Sequence, residues 1–78
     1  MNDQAQFIVI AVEGKKSREV LRHASAKVVL EYAHENNVWP YTTTYHVQRP
    51  DGSTLNPQQI RYVLERTRLR AQAMELIA

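Results

Sequence analysis

The chain has 78 residues, no cysteine, 44% hydrophobic residues and a formal net charge of +2. This length predicts a single domain over residues 1–78, and the lack of cysteine excludes disulfides and fits a reducing compartment. The hydrophobic content is that of a folded chain and is too high for a disordered one. The mild positive charge favours nucleic acid as a partner without establishing it.

The apolar segments indicate neither a membrane span nor a secretion signal. The longest unbroken apolar run, residues 7–12, is far shorter than a membrane-spanning helix, and no basic segment precedes it. The sequence therefore predicts a cytoplasmic protein with no membrane partner.

The first two predicted elements are a strand and a helix. Residues 6–12 (QFIVIAV) are apolar and β-branched without alternation, which predicts a strand covered on both faces and closed by Gly14. Ser17 is a candidate N-cap, so residues 18–36 are predicted as a helix that ends before Pro40. The main apolar stripe of this helix comprises Val20, Leu21, Ala24, Val28 and Tyr32, and a weaker opposite stripe comprises Ala26, Val29, Leu30 and Ala33.

The middle of the chain predicts a β-hairpin. Residues 41–48 alternate, with Tyr41, Thr43, Tyr45 and Val47 on one side and Thr42, Thr44, His46 and Gln48 on the other. Residues 49–52 (RPDG) have the composition of a type I turn, and residues 53–55 form a short return strand.

The last predicted element is a long helix over residues 57–78. Asn56 is its N-cap, Pro57 takes the first helical position, and Gln59 stands where a capping box needs Glu or Gln. The predicted core face comprises Ile60, Val63, Leu64, Thr67, Ala71 and Met74. A second stripe, nearly opposite, comprises Tyr62, Leu69, Ala73 and Leu76.

These elements predict an α+β fold: a small two-layer domain in the order strand, helix, hairpin and long C-terminal helix. The alternative is a helix-turn-helix protein in which residues 42–48 form a short helix before a recognition helix. The period-2 pattern and the Asp51-Gly52 turn signal favour the hairpin.

The sequence contains no recognisable catalytic motif. There is no cysteine, no nucleophile-elbow motif and no pair of neighbouring carboxylates. His23 and His34 are eleven residues apart, about 16 Å along a helix at about 1.5 Å per residue, so they cannot share a metal from one helix. We expect a non-enzymatic protein without cofactor or metal.

The segment Gly14-Lys15-Lys16-Ser17 is a candidate anion site, since it joins the predicted strand to a predicted helix N-terminus. It does not match the phosphate-binding loop of nucleotide hydrolases, because Val9 replaces the first glycine and Lys16 separates Lys15 from Ser17. Lys15 and Lys16 are therefore candidates for a weak phosphate or nucleic-acid contact. The alternative is a solvated turn with an N-cap serine, which the sequence favours.

The last helix carries four arginines, Arg61, Arg66, Arg68 and Arg70. Arginine suits bidentate phosphate contact, but these four do not form one stripe, and Glu65 has the spacing of a surface ion pair with both Arg61 and Arg68. The two interpretations are contact with nucleic acid, led by Arg66 and Arg70, and an ordinary solvated face.

Several apolar residues outside the predicted core are candidates for a protein interface. The single tryptophan, Trp39, is either a cover for the core, which we favour, or a binding anchor. Both helices carry two apolar stripes, more than a domain this small can bury. A homodimer through Tyr62, Leu69, Ala73 and Leu76 is the favoured account, and a helix wedged deeper into the core is the alternative.

Two functional hypotheses follow. The leading one is a homodimeric regulatory protein that contacts nucleic acid through the arginines of its last helix. The alternative is a protein-binding modulator, an inhibitor or adaptor, that uses an apolar helix stripe and the sheet face of Thr42, Thr44, His46 and Gln48. Nucleic-acid binding would fall steeply with salt, whereas an apolar protein interface would hardly respond.

Overall fold

A computed structural model describes the backbone of residues 5–77 and the side chains of residues 5–69. The elements are β1 (Phe7–Glu13), β2 (Lys16–His23), α1 (Ala26–Asn36), β3 (Thr44–Gln48), β4 (Thr54–Leu55) and α2 (Pro57–Ile77). The strands form one antiparallel sheet in the order β2-β1-β3-β4. The α+β class is confirmed, but the predicted order lacks β2.

The prediction of a helix over residues 18–36 is wrong in its first part, because residues 16–23 form β2. This strand pairs with β1 from Glu13 opposite Lys16 to Phe7 opposite His23. Gly14 has φ +61°, and a two-residue loop with glycine in its first position suits the twist of a hairpin. The apolar strand β1 offers β2 a pairing partner, and this hairpin pairing outweighs the helical pattern of residues 18–25.

A register shift in the β1–β2 pair brings two successive apolar residues to the core. Val9 is opposite Leu21 and Ile10 is opposite Glu19, so Val20 is the additional residue of a β-bulge. Both Val20 and Leu21 pack against the buried cluster. The same two residues created the false helical stripe in the sequence.

Helix α1 begins after Ser25, whose Oγ accepts a hydrogen bond from the Val28 N–H at 3.4 Å. Its buried residues are Val29, Leu30 and Ala33, whereas Val28 and Tyr32 are exposed. The predicted order of the two stripes is thus wrong, since the weaker stripe faces the core. Because residues 18–25 are not helical, Val20, Leu21 and Ala24 do not belong to α1. Of the five residues predicted as its main stripe, only Val28 and Tyr32 remain on the helix.

The second half of the chain contains the predicted hairpin and last helix, but β3 begins at Thr44, so residues 41–43, which were predicted as part of the strand, lie in the loop before it. The Gly52 N–H donates to the Arg49 carbonyl at 2.9 Å, which closes the turn between β3 and β4. At the start of α2, the Gln59 N–H donates to Asn56 Oδ1 at 2.8 Å, and the Asn56 N–H donates to Gln59 Oε1 at 2.9 Å. This reciprocal capping box fixes where the last helix begins.

Both helices pack on one face of the sheet. The buried cluster there comprises Val9, Val29, Leu30, Ala33, Val47, Leu55 and Ile60. Residues of β1 that alternate with Val9 and Ala11, namely Ile8, Ile10 and Val12, are only half-buried and lie on the other face. Among the residues that the structure describes, therefore, only one of the two apolar faces predicted for β1 is covered.

Neither helix in the described part of the chain combines the length and apolar character needed to cross a bilayer.

Candidate functional site

A groove of about 800 Å³ lies at the end of the sheet where β1 turns into β2. Its lining residues are Ala11, Glu13, Lys15, Lys16, Ser17, Arg18, Thr43 and Tyr45. The sheet register brings them together, because Arg18 on β2 and Tyr45 on β3 are both opposite Ala11 on β1. Directly opposite residues of antiparallel strands share a face, so Arg18 and Tyr45 lie with Ala11 on the face that also carries the core.

The groove carries three cations and one carboxylate. Lys15, Lys16 and Arg18 are exposed, and within residues 5–69 the ion pairs are Glu19–Arg22 and Arg61–Glu65, neither of which involves them. The carboxylate is Glu13, whose Oε2 accepts a hydrogen bond from the Thr43 hydroxyl at 3.3 Å. The balance of charge favours an anionic ligand.

The predicted reason for an anion site at Lys15 and Lys16 is wrong. These residues do not precede a helix: Lys15 lies in a turn, and Lys16 and Ser17 begin β2. The N-terminus of α1 is at Ser25, so the helix dipole does not act at the lysines. Their placement in a groove with Arg18 is a separate argument, based on side-chain charge alone.

The loop between α1 and β3, residues 37–43, leads into this groove and exposes aromatic side chains. Trp39 is 81% exposed and Tyr41 is 56% exposed. The expectation that Trp39 covers the core is therefore wrong: aliphatic side chains and Ala33 form the buried cluster, and Trp39 is not among the residues packed against it. Tyr41 has φ +62°, and its N–H donates to the Val38 carbonyl at 2.8 Å, which closes a tight turn.

The arginines of α2 lie apart from the groove and have local partners. Arg61 Nε is 3.1 Å from Glu65 Oε1. The guanidinium of Arg66 lies 5.6 Å from the ring centroid of Tyr62 and donates to its hydroxyl at 3.3 Å. Arg68 lines a second groove, between the helices, and the side chain of Arg70 lies outside the described residues. The described arginines thus do not converge on one ligand.

The predicted interface stripe of α2 is exposed where its side chains are described. Tyr62 is 59% exposed and Leu69 is 65% exposed. Ala73 and Leu76, the other two members, lie beyond residue 69 and outside the described side chains. Two large apolar groups on an accessible helix face fit a contact surface, and the contact itself stays a prediction.

The uncovered face of the sheet is a second apolar surface. Its centre is formed by Ile8, Ile10 and Val12, with Gln48, His46 and Thr44 opposite them on β3. The hydroxyl of Thr44 lies 3.1 Å from His46 Nε2. On β2, the Glu19–Arg22 ion pair has an oxygen–nitrogen distance of 2.7 Å, and the hydrogen bond from Arg22 lowers the pKa of Glu19.

Sequence reasoning identified Lys15 and Lys16 but missed Arg18 and Thr43 as neighbours in the groove. Arg18 was assigned to a helix, and Thr43 comes from a part of the chain about thirty residues away from Glu13. An interpretation of residues 7–23 as a hairpin that turns at Gly14 and Lys15 would have placed Arg18 beside the lysines. Thr43 had no local signal, since only the sheet register brings it there.

Among the described residues, no three histidine, aspartate or glutamate side chains are grouped as metal ligands. Comparison of the chain with known protein families, with curated proteins and with solved structures gives no match.

Proposed function

We propose that this chain is a small, non-catalytic, homodimeric regulatory protein that binds nucleic acid through the groove at the β1–β2 turn. The observation that carries the proposal is the grouping of Lys15, Lys16 and Arg18 around one carboxylate, with exposed aromatic residues on the adjoining loop. The proposed site differs from the arginine face of α2 that the sequence favours.

The chemistry of the groove suits a phosphate backbone. Lysine and arginine neutralise phosphates and release condensed counterions, which supplies sequence-independent affinity. Ser17 and Thr43 add hydroxyl groups of the kind that contact phosphate and sugar oxygens. The three cations have no acidic partner among residues 5–69, so binding breaks no existing ion pair there.

The arginines of α2 support this function less well. Arg61 must break its ion pair with Glu65 before all its N–H groups can donate to a phosphate. Arg66 must likewise give up its contact with the Tyr62 ring. Arg66 and Arg70 remain the competing site, and variants of the two regions separate the alternatives.

Self-association belongs to the same proposal. Tyr62 and Leu69 expose large apolar groups on α2, and Ile8, Ile10 and Val12 line a sheet face that the described part of the chain leaves uncovered. A symmetric dimer would cover one of these surfaces and place two grooves on one particle. The same exposed surfaces would also suit the alternative function, a modulator that binds another protein through them.

The test is a salt titration of binding to fluorescein-labelled DNA and RNA oligonucleotides, followed by anisotropy. The triple variant K15Q/K16Q/R18Q should bind more weakly and lower the log–log salt slope by about two units or more, at about 0.7 to 0.9 per phosphate contact. The matched control R61Q/R66Q/R70Q removes the same charge from α2 and should retain most of the slope. Circular dichroism checks that both variants fold.

Three results would contradict the proposal. A loss of slope in the α2 variant alone would move the site to the arginines. Absence of binding at low salt would exclude the nucleic-acid function. Capture of a protein from a nuclease-treated host extract, insensitive to salt, would support the modulator instead.

A further inference from the structure

Trp39 is a large apolar side chain that does not pack against the core. It is the only tryptophan in the chain, and 81% of its surface is accessible. Tyr41, on the same loop, is 56% exposed, and the proline between them extends the apolar surface. Two aromatic rings held away from the core of a small domain offer flat surfaces to a ligand.

The loop is attached at both ends. At its start, Asn37 is bound to the backbone of Tyr45 through both polar atoms of its side-chain amide, at 2.9 and 2.7 Å. At its end, Thr43 is bound to Glu13 in the groove wall. The aromatic residues therefore project from a loop with a defined base, which limits the entropy lost on binding.

The aromatic residues are within reach of the cationic groove. Tyr41 is two residues and Trp39 four residues from Thr43, which lines the groove with Lys15 and Lys16. Four residues of chain span at most about 14 Å at about 3.5 Å each. A strand whose phosphates lie in the groove thus has bases close enough to contact the rings.

We propose, building on the nucleic-acid function above, that the ligand is single-stranded and that its bases stack on Trp39 and Tyr41. A cationic groove beside aromatic platforms is the combination that holds single strands without strong sequence preference. The bases of a duplex are stacked on each other. A duplex could therefore bind the cations through its phosphates, but its bases would not stack on either ring. The two aromatic side chains therefore give the groove a preference for unpaired bases.

Because Trp39 is the only tryptophan, its fluorescence reports the contact directly. With excitation at 295 nm, titration with an oligothymidylate should quench the emission of the wild-type protein, and a duplex of the same length should quench it less. By anisotropy, the single strand should bind more tightly than the duplex. Trp39→Ala should weaken single-strand binding about 5- to 150-fold, the range expected for loss of one stacked base.

The salt slope distinguishes stacking from charge. Trp39→Ala should leave the slope unchanged, because it removes no cation, whereas K15Q/K16Q/R18Q should lower it. Trp39→Phe keeps an aromatic face and should retain much of the affinity. Val28→Ala is the control, since Val28 is a 41% exposed apolar residue on α1 that lies outside the groove and outside the proposed dimer interface; it should bind as the wild type does.

The outcomes separate this inference from the function on which it rests. Salt-dependent binding without quenching, equal or better binding of the duplex, or unchanged affinity of Trp39→Ala would overturn the inference and leave the nucleic-acid function standing. No binding of either oligonucleotide at low salt would overturn both. An affinity lost in Trp39→Ala but retained in Trp39→Phe would support stacking, and circular dichroism of Trp39→Ala shows whether that variant folds.

Discussion

The side chain of Asn37 pairs with the backbone of Tyr45 as a neighbouring strand would. Asn37 Nδ2 donates to the Tyr45 carbonyl at 2.9 Å, and the Tyr45 N–H donates to Asn37 Oδ1 at 2.7 Å. The strand β4 is two residues long and pairs only with Val47 and Gln48, so it does not reach Tyr45. Asn37 supplies the partners that β4 does not, and also ends α1 through its own N–H.

We predict that Asn37→Ala lowers the free energy of unfolding by about 1–3 kcal/mol. The reason is that two partly buried backbone groups of Tyr45 lose their partners at once. Urea denaturation followed by circular dichroism measures the change.

Asn36→Ala is the control for this prediction. Its side chain donates to the Tyr32 carbonyl at 2.8 Å from an exposed position, so its loss should cost no more than about 0.5 kcal/mol. Equal effects of the two variants would show that the Asn37–Tyr45 pair has no special part in stability.

A second prediction contrasts an exposed with a buried residue. Trp39→Ala should change the free energy of unfolding by less than about 0.5 kcal/mol, because most of the ring is already in water. Ile60→Ala, at a position with no exposure, should cost about 2–5 kcal/mol through lost burial and the cavity left behind. Urea denaturation of both variants tests this. A large loss in Trp39→Ala would mean that the ring packs against the domain.

The features predicted correctly from the sequence have local causes. The start of α2 is set by three residues, Asn56, Pro57 and Gln59, whose side chains and ring act within one turn. The hairpin of β3 and β4 is set by an alternation and by Gly52, which has φ +92°. Short-range signals of this kind are legible without knowledge of the rest of the fold.

The features that were missed depend on distant partners. Residues 16–23 fit a helical pattern as well as a strand pattern, and only the pairing with β1 decides between them. The groove combines Lys16 and Arg18 with Thr43, which belong to segments far apart in the chain. The exposure of Trp39 follows from the path of a loop that Asn37 anchors, and no local pattern encodes that path.

A third prediction concerns the cap of α2. Asn56→Ala should lower the free energy of unfolding by about 0.5–2 kcal/mol, because the Gln59 N–H loses its acceptor. Gln58→Ala serves as the control, because Gln58 is exposed in the first turn of the same helix and its side chain makes no described hydrogen bond. Thermal and urea unfolding measure both, and an equal loss in the control would contradict a role for the cap.

The fourth prediction is a pH dependence at the β3–β4 turn. The Ser53 hydroxyl and N–H donate to Asp51 Oδ1 at 2.6 and 2.9 Å, and these bonds lower the pKa of Asp51. A lowered folded-state pKa means that the contribution to stability is present above about pH 4, the ordinary range of an aspartate, and is lost as the pH falls through the folded value. Carbon-detected NMR titration should show the low pKa in the wild type. In Ser53→Ala the pKa should rise towards its ordinary value, and an unchanged pKa would contradict the assigned cause.

The last prediction tests self-association through α2. Leu69 is 65% exposed and Tyr62 is 59% exposed, and a partner chain that covers them removes apolar surface from water. Sedimentation equilibrium at micromolar concentration should give the wild type a mass near twice the 9.1 kDa of one chain. Leu69→Glu should shift the mass towards one chain, because dimerisation would then bury a carboxylate. Gln58→Glu adds the same charge at another exposed position of α2 and should remain dimeric. A wild type that sediments as a single chain would exclude the dimer, and a dimer that survives in Leu69→Glu would place the interface elsewhere, with the uncovered sheet face of Ile8, Ile10 and Val12 as the next surface to vary.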